Sequence, residues 1–248
     1  MVTHTLILLR HGASDWTCKN LFNGWVDTKL SDKGREDAIK AGKLMLEHNL
    51  LPDVVYTSCL SRAIQTANIL LEVVDRLSVN VRHSWRLNER HYGALQGQNR
   101  KEVAQEYGQE KYMLWRRSYD VAPPPIDDDC EFSPVHDARY SGLPNDTIPR
   151  TESLKDVEAR LVPYFNDVIG KDIKHGKVVL VIAHSNSLRA LVKHIDSIDD
   201  QDIVDVNIPN AMPLIYELND DLRPVKSGYY LDPETAAEAA EVVANQGN

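Results

Sequence analysis

Two short apolar runs, each closing on a histidine-bearing turn, constrain this chain more than any other feature. The first is Thr5-Leu6-Ile7-Leu8-Leu9, followed by Arg10-His11-Gly12; the second is Val178-Val179-Leu180-Val181-Ile182-Ala183, followed by His184-Ser185. An apolar run of this length without alternation is the pattern of a strand covered on both faces. In an open α/β sheet the carboxyl ends of the parallel strands meet at the ligand site. The two histidines are therefore expected to face one another at a single pocket. Arg10 lies beside the first, and Arg62 follows a third strand end at Tyr56-Thr57-Ser58. Two imidazoles and two guanidiniums around one cavity suit a phosphate better than a metal ion.

Between these runs the apolar spacing alternates helix and strand. Ser31 is placed to cap a helix running to Leu46, and Pro52 ends that pattern before a short strand at Val54-Val55-Tyr56. A helix from about Ser61 to Val74 is expected to bury Ile64, Ala67, Leu71 and Val74. Glu102 to Tyr107 and the Trp115 region read as helical. Ser153 opens an amphipathic helix with Leu154, Val157, Leu161, Phe165 and Val168 on one face; a short helix starts near Ser187, and Leu214-Ile215-Tyr216 reads as a strand. This order predicts one α/β domain over residues 1–232, a three-layer α/β/α sandwich on a mostly parallel sheet. Residues 120–150, with Pro123-Pro124-Pro125 and Asp127-Asp128-Asp129, are expected to be irregular, as a lid or an insertion. The Ala-rich stretch opening 233–248 has helical propensity but a weak apolar face, and is expected to be a mobile tail.

The formal net charge of the 248 residues is −9, which argues against nucleic acid or an anionic membrane as the main partner. No apolar stretch approaches the roughly 20 residues of a membrane span, and no secretory leader pattern is visible; a cytoplasmic location is expected. Cys18, Cys59 and Cys130 lack metal-ligand spacing, and no His-Glu-x-x-His pattern occurs, so no metal is expected. His4, His48, His136, His175 and His194 have no neighbours that would enlist them in chemistry.

Leu9-Arg10-His11-Gly12 resembles the signature of the histidine phosphatase superfamily. Further segments narrow the resemblance: Asn20-Leu21-Phe22-Asn23-Gly24-Trp25-Val26-Asp27, Ser61-Arg62-Ala63-Ile64-Gln65-Thr66-Ala67, the run from Trp85 to Gly97 around Asn88-Glu89-Arg90-His91-Tyr92, Trp115-Arg116-Arg117-Ser118-Tyr119, Asn186-Ser187-Leu188-Arg189 and Asn207-Ile208-Pro209. In order and spacing, from about Thr5 to Leu231, these look like the phosphoglycerate mutases primed by 2,3-bisphosphoglycerate. The resemblance implies a phosphohistidine at His11, with Arg10, Arg62 and His184 holding the transferring phosphoryl group and Glu89 moving the proton. It implies that Arg90, Tyr92, Arg100, Arg116 and Arg117 grip the substrate carboxylate and second phosphate. Ser14, Thr17, Asn23, Gly24, Ser185 and Asn186 would add polar contacts. It further implies 2,3-bisphosphoglycerate as the primer, small phosphoglycerates as the ligands, and a homo-oligomer, dimer or tetramer.

Several positions depart from the family pattern: Ala13 for Gln or Glu, Thr17 for Asn, Asn23 for Thr, Arg100 for Lys, and Ser185 and Ala211 for Gly. Glycine permits close approach and positive φ, so the last two bear most on the backbone. The reading expected is interconversion of 3- and 2-phosphoglycerate. The alternatives are a histidine-type phosphatase, a bisphosphoglycerate synthase, or a diverged paralogue of low activity that binds phosphoglycerates.

Overall fold

A computed structural model of the chain describes residues 2–244. Six strands form one sheet: β1 His4–Arg10, β2 Val54–Thr57, β3 Asn80–His83, β4 Val179–Ala183, β5 Leu214–Leu218 and β6 Tyr229–Tyr230. Their spatial order is β3-β2-β4-β1-β5-β6. The first four run parallel, while β5 is antiparallel to both β1 and β6. The helices are α1 Asp15–Cys18, α2 Asp32–Glu47, α3 Ser61–Val73, α4 Arg100–Tyr107, α5 Gln109–Arg117, α6 Leu154–Tyr164, α7 Gly170–Lys174, α8 Ser185–Asp196 and α9 Pro233–Ala244.

The alternation of side chains along a strand divides the core. Leu6, Leu8, Tyr56, Val179 and Val181 meet Leu161, Phe165, Leu188 and Leu191 of α6 to α8 on one face. Ile7, Leu9, Val55, Leu180 and Ile182 meet Ala41, Met45, Ala67, Leu70 and Leu71 of α2 and α3 on the other. This is the expected three-layer sandwich. All five residues of β4 are buried, as its unbroken apolar run requires. A third cluster, Phe22, Tyr92, Leu95, Val103, Tyr112 and Trp115, packs α4 and α5 beside the main body.

Local differences from the sequence reading have physical causes. The long amphipathic helix begins where expected, with Ser153 and Asp156 capping each other reciprocally. Pro163 lies inside it, however, and a π turn over Phe165–Ile169 follows before α7 continues. The wider turn rotates the apolar stripe, so that Phe165 and Ile169 are buried while Val168 is only half-buried. On α3 the buried face is Arg62, Ala63, Thr66, Ala67, Leu70 and Leu71, and Ile64 is half-exposed. Ala67, Leu71 and Val74 are buried as expected, and Arg62 takes the buried place in the first turn that the apolar pattern assigns to Ile64. Strand β3 escaped the sequence reading since its residues are exposed or half-buried at the sheet edge.

Residues 120–150 contain only two short 3-10 turns, Pro134–His136 and Ala138–Tyr140. They are pinned by Tyr140, whose hydroxyl accepts from Asn88 Nδ2 at 2.8 Å and whose ring packs on Trp25. Residues 233–244 form α9, with Ala236 and Val243 buried; 245–248, the rest of the expected tail, lie outside the described residues.

The turn after β1 is fixed by backbone touching backbone. Ala13 O accepts from both the N–H and the hydroxyl of Ser31 at 3.0 Å, where α2 starts. A Cβ on Gly12 would fall 2.2 Å from Gly34 O, and one on Gly34 would fall 2.0 Å from Ala13 O. Overpacking of this kind costs about 1–3 kcal/mol. Gly34→Ala is therefore expected to lower the thermal midpoint by roughly 3–10 °C and to reduce activity through the displaced His11 turn. An unchanged midpoint in differential scanning calorimetry would contradict this packing.

Candidate active site

Strands β1 and β4 pair in parallel register, Arg10 opposite Ala183, and the His11 N–H donates to Ala183 O at 3.0 Å. The next residue on each strand is a histidine. Their rings lie 4.9 Å apart between centroids, tilted by 58°. His11 lies on the pocket wall, with His184 fully buried behind it.

Each imidazole is oriented by a specific partner. His11 Nδ1 lies 2.6 Å from Gly12 O. A carbonyl can only accept, so Nδ1 carries the proton and Nε2 keeps its lone pair. His184 Nε2 lies 2.7 Å from Ser58 Oγ, at the end of β2. Burial, reinforced by Arg62 and Arg10, holds His11 well below the ordinary imidazole value of 6.5. Burial likewise lowers His184, followed by the influence of Arg62 and His11. Both rings are neutral at physiological pH.

Six arginines line the pocket: Arg10, Arg62, Arg100, Arg116, Arg117 and Arg189, against one carboxylate, Glu89. Arg62, from the first turn of α3, is fully buried and donates to Gly24 O at 2.9 Å and Val26 O at 3.0 Å. Arg10 donates to Ile208 O at 2.7 Å. Burial, partly offset by Glu89, lowers each of these two guanidiniums to about 10. Carbonyls hold these cations without neutralising them, so the positive charge remains for an anion. The Nε atoms of Arg10, Arg62 and Arg189, and His184 Nδ1, are buried without a partner among the described residues. Unpaired buried donors are costly, and a polyanion would satisfy those that reach it. The donor set thus fits a ligand with two phosphates and a carboxylate.

Glu89 is 7% exposed, and its Oε1 accepts from Arg90 N at 2.8 Å, Asn186 N at 3.1 Å and Asn186 Nδ2 at 3.1 Å. The Asn186 N–H belongs to the first turn of α8, whose dipole favours a carboxylate. Arg160, a residue without a signal in the sequence reading, holds the Glu89 segment from behind. It pairs with buried Glu152 at 2.6 Å and donates to the carbonyls of Arg86, Asn88 and Glu89. Trp25 Nε1 also donates to Glu89 O at 2.7 Å.

Most residues expected at the site line this pocket: Thr17, Asn23, Gly24, Tyr92, Arg100, Arg116, Arg117, Ser185 and Asn186 join Arg10, His11, Arg62 and Glu89. Ser14 and Arg90 are not on its wall. Ser14 caps α1 and contacts Thr17 Oγ1 at 2.9 Å, supporting the wall from beneath. Arg90 is fully buried behind Tyr92, 4.6 Å from its ring, and donates to the carbonyls of Trp115 and Arg116. Burial pushes the Tyr92 phenol up, but Arg90 and Arg100 outweigh it and the net displacement is downward. Arg189 and Val243 also line the pocket, and neither carries a signal of its own in the sequence. Arg189 stands in the quoted Asn186-Ser187-Leu188-Arg189 run. Val243 belongs to α9, whose Val243 and Ala244 carbonyls accept from Arg116 at 2.7 and 3.4 Å. The pocket is bordered by this helix and by no residue of 120–150.

The two replaced glycines differ in consequence. Ser185 is not among the residues with positive φ and begins α8 without backbone strain. Ala211 sits at φ 51, left-handed, where its N–H donates to Arg10 O at 2.9 Å. That conformation costs an L residue roughly 1–2 kcal/mol. Among the described residues no group of three or more His, Cys, Asp or Glu gathers in a way that could hold a metal ion, and no helix is long and apolar enough to cross a membrane.

An α/β/α sheet with two neighbouring histidines at adjacent strand ends, in an arginine-lined pocket, is the arrangement of a phosphohistidine enzyme. Residues 6–227 match the histidine phosphatase superfamily, branch 1. The chain is 60% identical to the 2,3-bisphosphoglycerate-dependent phosphoglycerate mutase of Nocardioides sp. (strain ATCC BAA-499 / JS614), over 99% of its own length and 100% of that protein. It is 58% identical to the protein of the same description from Arthrobacter sp. (strain FB24), over 99% of each. A solved structure described as mycobacterial hydrolase 1 shares the fold, with a TM-score of 0.70 at 23% identity over 92% of this chain and 97% of that one. The chain belongs to the family of 2,3-bisphosphoglycerate-dependent phosphoglycerate mutases.

Three histidines are buried and uncharged in the fold: His11, His184, and His91, the last lowered to about 3 by burial and then by Arg160. Below the ordinary value of 6.5 the unfolded chain takes up protons there that the folded chain does not. The stability they confer is complete above that pH and is lost as pH falls toward the folded values. Each contributes up to about 1.4 kcal/mol per pH unit. Urea unfolding is therefore expected to show stability falling by about 3–4 kcal/mol from pH ~7.5 to pH ~5.5, with the His11 and His184 ring resonances fixed over that interval. A ring titrating near 6.5 would contradict the assignment.

Proposed function

We propose that this chain interconverts 3-phosphoglycerate and 2-phosphoglycerate through a phosphohistidine at His11. 2,3-Bisphosphoglycerate supplies the phosphoryl group that loads the enzyme. The observation that carries this reading is the His11 imidazole, neutral, with its Nδ1–H tied to Gly12 O, in a pocket of six arginines.

In that geometry His11 Nε2 forms the bond to phosphorus as the phosphorus–oxygen bond to the glycerate breaks. Arg10, Arg62 and His184 surround the equatorial oxygens, over which charge is spread in a loose transition state. Glu89 gives the departing oxygen its proton and takes one from the hydroxyl that is phosphorylated on return, a contribution of about 10²–10⁴ in rate. Arg100, Arg116, Arg117 and Tyr92 suit the carboxylate and the phosphate that does not react. Thr17, Asn23, Gly24, Ser185 and Asn186 complete the wall, with Ser14 and Arg90 acting from behind it. The helix α9 at the border favours retention of the reacting group over its loss to water.

An enolase-coupled assay tests the reading. The protein with 2,3-bisphosphoglycerate is expected to convert 3-phosphoglycerate, with inorganic phosphate release a minor side reaction; EDTA is expected to have no effect when turnover is followed directly by ³¹P NMR, without the magnesium-dependent coupling enzyme. Loss of activity in EDTA, restored by a divalent ion, would contradict a metal-free site. His11→Ala should abolish both turnover and acid-labile labelling by the primer, and Glu89→Gln should lower kcat by about 10²–10⁴. Phosphate release outpacing isomerisation would replace this reading with the phosphatase alternative.

A further inference from the structure

Arg189 lines the pocket but is 1% exposed, and both terminal nitrogens of its guanidinium are engaged by the chain itself. Its NH1 donates to Asn186 Oδ1 at 2.9 Å, and its NH2 to the carbonyls of Ile203 at 2.7 Å and Arg117 at 3.2 Å. The opposite edge of the same amide serves two other groups: Asn186 Nδ2 donates to Glu89 Oε1 at 3.1 Å and to Tyr92 Oη at 2.9 Å. An asparagine amide can be turned over at little cost when its surroundings are indifferent, but these are not. A guanidinium only donates and a carboxylate only accepts. The flipped amide would set N–H against N–H on the Arg189 side and oxygen against oxygen on the Glu89 side.

We infer that Arg189 is a positioning residue for the reaction, locking the Asn186 amide with its N–H edge toward Glu89 and thereby aiming the Glu89 carboxylate. Three donors converge on Glu89 Oε1: Arg90 N, Asn186 N and Asn186 Nδ2. Among the described residues none is recorded on Oε2, which is left as the oxygen that takes and returns the proton. The two backbone donors are set by chain geometry, and the third depends on which way the amide faces. Burial and then Arg117 lower the Arg189 guanidinium to about 9. The inference rests on the reading of Glu89 as the proton carrier.

A double-mutant cycle tests it, with Arg189→Met, Asn186→Leu and the pair assayed beside Glu89→Gln. Arg189→Met is expected to lower kcat roughly ten- to a hundredfold while KM for 3-phosphoglycerate moves less than about threefold, and the pair is to be no worse than the poorer single variant. A direct grip on the ligand would instead raise KM and multiply the losses, and that result overturns the inference. A readout independent of turnover is the Asn186 side-chain amide pair in ¹H–¹⁵N spectra, identified by its loss in Asn186→Leu. It should shift or broaden in Arg189→Met, and an unmoved pair also overturns the inference. Should Arg189→Met lose its dispersed spectrum, Arg189→Gln takes its place in both measurements. Wild-type kcat in Glu89→Gln would defeat the reading of Glu89 itself; a crippled Glu89→Gln with an additive cycle defeats only the role of Arg189.

Discussion

The parallel pairing of β1 with β4 sets everything at the site. Because Arg10 stands opposite Ala183, the chain leaves both strands at the same height, and the next residue on each is a histidine. No loop has to be steered to bring the imidazoles together; the sheet's hydrogen bonds do it. The Gly12 carbonyl then selects the tautomer of His11, and the end of β2 supplies Ser58 to His184. Three adjacent strand ends thus assemble the nucleophile and its neighbour from residues within a few positions of a fully buried core.

Around that pair the protein accumulates like charge on buried side chains, which is expensive unless each cation is well bonded. The structure meets the cost with backbone carbonyls: Gly24 and Val26 for Arg62, Ile208 for Arg10, Trp115 and Arg116 for Arg90, Ile203 and Arg117 for Arg189. A carbonyl dipole stabilises a guanidinium but leaves its charge intact. Burial first, and then the same charge, keeps both imidazoles unprotonated, and the charge attracts a polyanion to a chain whose net charge is −9. Nucleophile activation and ligand recognition therefore both draw on the guanidiniums, the first of them mainly on burial. Glu89, the single carboxylate on the wall, is held by N–H donors.

Much of this was legible in the residues. The unbroken run Val178 to Ala183 announced a central parallel strand, and the strand-end histidines announced a pocket. Both follow from short-range pattern and the rule for strand ends. The roles proposed for Glu89, Arg116 and Arg117 are not readable from spacing, because an acid beside arginines looks the same on a solvated surface; the family resemblance suggests them. Arg160 left no trace in sequence, since it works by gripping carbonyls about 70 residues away, and a carbonyl has no residue identity. Arg90 lies in the right motif but is buried behind the wall, as depth is not written in chain order. Ser185 and Ala211 looked equivalent as lost glycines, and only backbone angles separate them.

The contact of Gly12 and Ala13 with Gly34 has a consequence for how this turn can vary. Most neighbouring positions in a core can exchange volume, one side chain shrinking as another grows. Here each bare α-carbon faces a carbonyl oxygen, so no pair of substitutions restores the fit. The position of the nucleophile is referenced to the start of α2 through peptide planes, with the Ser31 hydroxyl as a second donor to the same carbonyl. It is a stiff coordinate, immune to rotamer exchange, and drift in the surrounding sequence leaves it where it is.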